Sequence, residues 1–97
     1  MAGGMIAAME QCTILTIKAG QAPVRSTQPN APSLEDVQEA VGGYVELLNI
    51  RVGQKPAQLL VNEDGLSMGL PINEAASMLC GRTIVGDVLI LMDKLWD

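Results

Sequence analysis

The 97-residue chain has no histidine and no phenylalanine, and only one tryptophan, one tyrosine and two cysteines. Without histidine there is no Ser–His or Cys–His pair, and the usual zinc ligand sets are out of reach. Cys12 and Cys80 form no CxxC motif and sit in apolar neighbourhoods. Buried free thiols are the expectation, with a long-range disulfide between them as the alternative. The scarcity of rings argues against an RNA-binding surface, which stacks bases on exposed aromatics. Basic clusters are missing too. The six bases (Lys18, Arg25, Arg51, Lys55, Arg82 and Lys94) are scattered among eleven acids, for a formal charge of −5. Direct nucleic-acid binding needs such a cluster, so none is expected. An acidic surface of this kind either keeps the chain soluble or faces a basic protein. There is no apolar run long enough to span a bilayer, and the small, apolar start lacks a basic n-region, so no membrane association and a cytoplasmic location are expected.

What the chain does have is aliphatic bulk. Nearly half the residues are apolar, mostly Leu, Ile, Val, Met and Ala, enough for one packed domain but not two. Residues 1–11 read as a flexible N-terminal extension, with Met5 and Met9 as alternative starts, and residues 12–97 as a single α+β domain. Strands are expected over 12–18 and 24–28, the second at an edge because Pro23 precedes it. The main helix spans 33–41. Ser33 is a good N-cap, Glu35 and Asp36 favour the positive end of the dipole, and Leu34, Val37 and Val41 share one face. Asp36 stands where a full capping box would have Glu or Gln.

Gly42 and Gly43 follow the helix directly. The first suits a left-handed C-cap and the second lets the chain reverse into a strand over 44–52. A phosphate site is the functional alternative. The spacing, however, matches neither GxGxxG nor GxxxxGK, and the negative end of the dipole points there. In the strand, Tyr44, Glu46, Leu48 and Ile50 share a face, so Glu46 is either exposed or buried with a partner. A strand at 57–61, a hairpin turn at Asn62-Glu63-Asp64-Gly65 and a short returning strand at 66–70 follow, with Gly69 marking a bulge. The turn's three oxygen-bearing side chains resemble a fragment of a calcium loop, but the twelve-residue spacing and terminal Glu are missing, so no metal site is expected. Asn73 caps a short helix over 74–79, closed by Gly81. The last strand, 83–92, is apolar enough to be buried on both faces, at the centre of the sheet or at a subunit interface. Asp87 is its anomaly. Gly86 before it suggests a bend that turns the carboxylate outward or lets it accept backbone N–H bonds; a ligand-facing acid is the alternative. The sole Trp, Trp96, is read as a lid over the core or a partner contact. The sum is a mostly antiparallel sheet of four to six strands with one main and one short helix.

The ordered segments IKAGQAPV, SLEDVQEAVGGYVELLNI, LLVNEDGLSMGLPINEAA and IVGDVLIL resemble the family known as domain of unknown function 3846, over about residues 12–92. Its members are small proteins common in phages, plasmids and other mobile elements, with VGGYIE-, NEEGK-, GLPxN- and IxGD-like motifs. Here the turn reads NEDGLSMG, where a base often follows the glycine. The resemblance implies a setting and no reaction, and no cofactor. In that setting the expected role is a non-enzymatic binding protein that counteracts a host defence, by occluding a host protein or by sequestering a small nucleotide. A structural or regulatory homo-oligomeric module is the alternative, and self-association through an edge strand or the apolar last strand fits either. An enzyme using Glu46, Glu63 or Asp87 as general base finds no paired group in the sequence. Candidate binding residues are Tyr44, Glu46, Asn62, Glu63, Asn73 and Asp87; Gly42, Gly43, Gly65 and Gly86 are assigned to shaping the backbone.

Overall fold

The computed structural model describes residues 11–97; the extension expected over 1–11 lies, but for Gln11, outside the described residues. Two hairpins flank one strand. The first pairs β1 (Cys12–Ile17) with β2 (Val24–Gln28), and the second pairs β3 (Val45–Val52) with β4 (Lys55–Asn62). β5 (Val88–Met92) lies between them, antiparallel to both β1 and β4, so the sheet order is β2-β1-β5-β4-β3. Helix α1 (Leu34–Val41) links the hairpins and α2 (Glu74–Cys80) precedes β5. This is an α+β fold with a five-stranded antiparallel sheet.

The helices pack on opposite faces, which makes the sheet the middle of three layers. On the α1 face Val37 and Val41 meet Cys12, Ile14, Leu60, Leu89 and Leu91; on the α2 face Ala76 meets Ile17, Leu59, Val61, Val88 and Ile90. Neighbours on a strand point to opposite faces. Leu59 and Leu60, like Ile90 and Leu91, are therefore both fully buried, one in each layer. Each such side chain contributes about 1.5–3 kcal/mol. β5 is thus central, as its unbroken apolar run suggested. With a neighbour on each side it leaves no edge for a subunit interface. Cys12 belongs to one core layer and Cys80 packs against the other, so the sheet separates them and both thiols are free. Burial pushes the pKa of each thiol up.

Both helix starts follow their sequence signals. The Ser33 hydroxyl accepts from the Asp36 N–H at 3.1 Å, and Asn73 Oδ1 accepts from the Ala76 N–H at 3.1 Å. Gly42 ends α1 in the left-handed region at φ 80°. Gly43 is small for another reason: a Cβ there would stand 2.9 Å from Asn62 Nδ2.

Three expectations change. β4 begins at Lys55, two residues before the anticipated start at 57. Pro56 is tolerated because the β4–β5 ladder covers only Gln58 to Leu60, so no partner needs its missing N–H. No strand returns at 66–70. β4 is already flanked by β3 and β5, and residues 63–69 instead form successive turns in which the Gly65, Met68 and Leu70 amides donate to Asn62, Asp64 and Gly65 carbonyls. The last strand is also shorter than 83–92. Gly86, at φ 78°, breaks the run, and Val85 makes an isolated bridge to Ile72.

Beyond β5, Asp93 Oδ1 accepts from Lys55 Nζ at 2.8 Å and its other oxygen from the Thr13 hydroxyl. The Lys55 bond first, and then the Thr13 bond, hold the Asp93 carboxyl below its ordinary value. Trp96 closes the α1 layer as a lid. Its indole N–H donates to Pro32 C=O at 2.7 Å, and its backbone N–H and C=O both bond the Gln58 amide.

Candidate binding cleft

Four of the six candidate residues meet where β3 leaves α1 and β4 runs into the turns. Glu46 pairs with Val61 and Val45 with Asn62, while the Glu63 N–H donates to Tyr44 C=O at 2.8 Å. These pairings place Glu46 and Glu63 on the rim of a cleft of about 140 Å³. Its floor is aliphatic, formed by Leu48, Val61 and Ile84, and Arg82 and Thr83 close the far side. Glu46 and Glu63 are both exposed, so Glu46 is the solvent-facing alternative of the two its sequence left open. Tyr44 projects into solvent beside a separate hollow formed with Gln38 and Gly43.

Asn62 also touches the cleft, but its side chain is committed to the fold. Nδ2 donates to Val41 C=O at 3.2 Å, and Oδ1 accepts from the Asp64 N–H at 2.8 Å. One amide therefore ties the end of α1 to the turn after β4. Asn73 is engaged more completely. It is fully buried, and Nδ2 donates to both Ile17 C=O and Gly86 C=O at 2.8 Å while Oδ1 caps α2. Its amide faces three backbone groups and no cleft. Asp87 is half-buried, and its Oδ1 accepts from the Ala19 N–H at 2.9 Å, the backbone-binding arrangement expected of a bend at Gly86. Its surroundings include a second cleft of about 380 Å³ that Glu39, Pro71 and Gly86 also line. A third, of about 410 Å³, lies between the β1–β2 connection and α2 and carries Glu74. The described residues contain no group of three or more Cys, Asp or Glu placed to hold a metal, and no helix long and apolar enough to cross a membrane.

Glu39, Glu74, Arg82 and Thr83 escaped the sequence reading. None of them stands in a motif, and only the fold brings each to a cleft.

Residues 11–94 match the model of a family described only as a domain of unknown function, DUF3846. The chain belongs to that family. No curated protein and no solved structure matches it. In this DUF3846 chain the small residues hold a connected set of close approaches. Gly43 lies against Asn62, Gly65 against Val85, and Gly86 against Leu70, with distances of 2.8–2.9 Å to a Cβ built at each glycine. The turn region of this member is thus packed from both sides, and the cleft is its exposed margin.

Proposed function

We propose that this DUF3846 member is a non-enzymatic binding protein of a phage or mobile element that counteracts a host defence by occluding a basic surface of a host protein. The phage setting comes from the family resemblance. The observation that carries the choice of partner is the sign of the charge around the clefts. Glu46 and Glu63 line the first cleft, Glu39 and Asp87 the second and Glu74 the third, against a single cation, Arg82. A nucleotide's phosphates would meet carboxylates at each. The cleft with the aliphatic floor also falls below the roughly 300–1,000 Å³ usual for small-molecule sites. A lysine or arginine suits it better: the aliphatic stem lies on the floor and the charge reaches the rim.

A plating assay in host strains carrying single defence systems tests this reading. The wild-type chain should raise phage plating in at least one strain, and a Glu46→Gln, Glu63→Gln double variant should not. Calorimetry with cyclic dinucleotides and ADP-ribose should give no saturable heat. Heat from either would replace the protein partner with a nucleotide, and a flat response across the strains would remove the anti-defence role.

One observation favours the alternative of a self-associating module. All five residues of β2 are exposed, and among the described residues no strand lies beyond it at that edge of the sheet. Light scattering decides it: a monomer at micromolar concentration counts against self-association.

A further inference from the structure

At the β3 edge an open backbone ladder adjoins an acid-rimmed cleft. The hydrogen bond from Glu63 N–H to Tyr44 C=O fixes the phase of the β3–β4 ladder. In an antiparallel pair, bonded and non-bonded positions alternate. Glu46, Leu48, Ile50 and Val52 therefore exchange bonds with β4, and the N–H and C=O groups of Val45, Leu47, Asn49 and Arg51 point away from the sheet. The two-residue connection between Val52 and Lys55 has the same phase. Among the described residues no strand lies beyond β3. Proline, bulges and inward lysines commonly blunt such edges. β3 has no proline, bulge or lysine, its charges are Glu46 and Arg51, and its ladder with β4 is unbroken over all eight of its residues.

We propose that β3 accepts an extended segment of a protein partner as a sixth strand, with a lysine or arginine of that segment seated in the cleft between Glu46 and Glu63. The proposal rests on the basic-partner reading above and adds the place and geometry of contact. A strand added at β3 lies about 4.8 Å from it, and every second side chain faces the α2 side, where Glu46 and Leu48 stand. Main-chain bonds to the four outward positions supply affinity, and the cleft supplies selectivity for a cation. Glu46, Glu63 and Arg82 together leave the cleft one negative charge in excess. The β2 edge is the poorer candidate. Its strand has five residues against eight, Pro23 and Pro29 flank it, and it carries Arg25 but no acid.

The test uses the full chain and a capped octapeptide alternating Lys and Thr at physiological salt. Controls are an octapeptide of equal charge with prolines in place of threonines and a Glu-for-Lys counterpart. The Lys/Thr peptide should bind saturably and shift the amide resonances of Val45, Leu47, Asn49 and Arg51. The Glu46→Gln, Glu63→Gln variant should weaken it about fivefold or more, while Arg82→Gln should tighten it. Asn49→Pro removes an outward N–H without touching the β4 ladder and should weaken it similarly. N-methylating the peptide at alternate residues probes the same bonds with the protein unchanged. Equal binding of the proline-interrupted peptide overturns strand addition and leaves the basic-partner reading standing. Failure of both basic peptides to bind, or equal binding of the Glu counterpart, overturns both.

Discussion

Asn73→Ala is the most informative single test of how the fold is held. The side chain is fully buried, and its amide satisfies Ile17 C=O, Gly86 C=O and the first turn of α2. Removing it deletes an N-cap, worth about 1 kcal/mol. It also strips donors from two interior carbonyls, at about 1–3 kcal/mol each, with the lower end applying where water reaches them. The expected loss is about 3–5 kcal/mol, a large part of the roughly 5–15 kcal/mol that stabilises a domain of this size. The melting temperature should fall by about 15 °C or more. Asn73→Ser keeps a capping oxygen and should recover about 1 kcal/mol. Asn73→Asp keeps the cap but turns a carboxylate toward two carbonyl oxygens, and should be no better than alanine. Urea unfolding followed by the fluorescence of Trp96, which sits in the opposite layer, should coincide with loss of far-ultraviolet dichroism if the domain unfolds as one unit. A loss under about 1 kcal/mol for Asn73→Ala would refute the assignment of these three bonds as a structural tie.

Two further outcomes follow from other contacts in the fold. Gly43→Ala should cost about 1–3 kcal/mol, because its Cβ displaces Asn62 from Val41 C=O; combined with Asn62→Ala in urea titrations, the two losses should be less than additive. The depressed Asp93 carboxyl stabilises the fold above its ordinary value of 3.8, and that contribution is lost as the pH falls below it toward the lower folded value. Asp93→Asn should therefore flatten the acid limb of stability below pH 3.8, measured by urea midpoints across that limb.

Local rules made much of the fold legible. Ser33, Asn73, Gly42 and Gly81 bound the helices because caps act within a few residues. The apolar run ending at Met92 gave away the central strand through its lack of alternation. What escaped was decided at long range. Nothing near residues 66–70 shows that both flanks of β4 are taken, so a hairpin signal at Asp64-Gly65 read as a hairpin. Pro56 read as loop because its tolerance depends on where β5 stops. The cleft was half visible: Glu46 and Glu63 stood out as acids in or beside strands, whereas Arg82 reaches it only through the chain reversal after α2. Asn62 belongs to a legible turn and Asn73 to a legible cap, but only the fold shows that their amides are spent on backbone groups inside the protein and not on a ligand.

The order of the sheet has a consequence for synthesis. A ribosome delivers both hairpins before it makes the strand that joins them, so neither half of the nascent chain has its middle neighbour while translation continues. The long-range pairings of β1 and β4 are closed only by the last of the five strands. Until then β1 and β4 each lack a partner along the edge that β5 will occupy. A nonsense codon ahead of Val88 would thus leave two hairpins tethered through α1 but without the strand that knits them into one sheet.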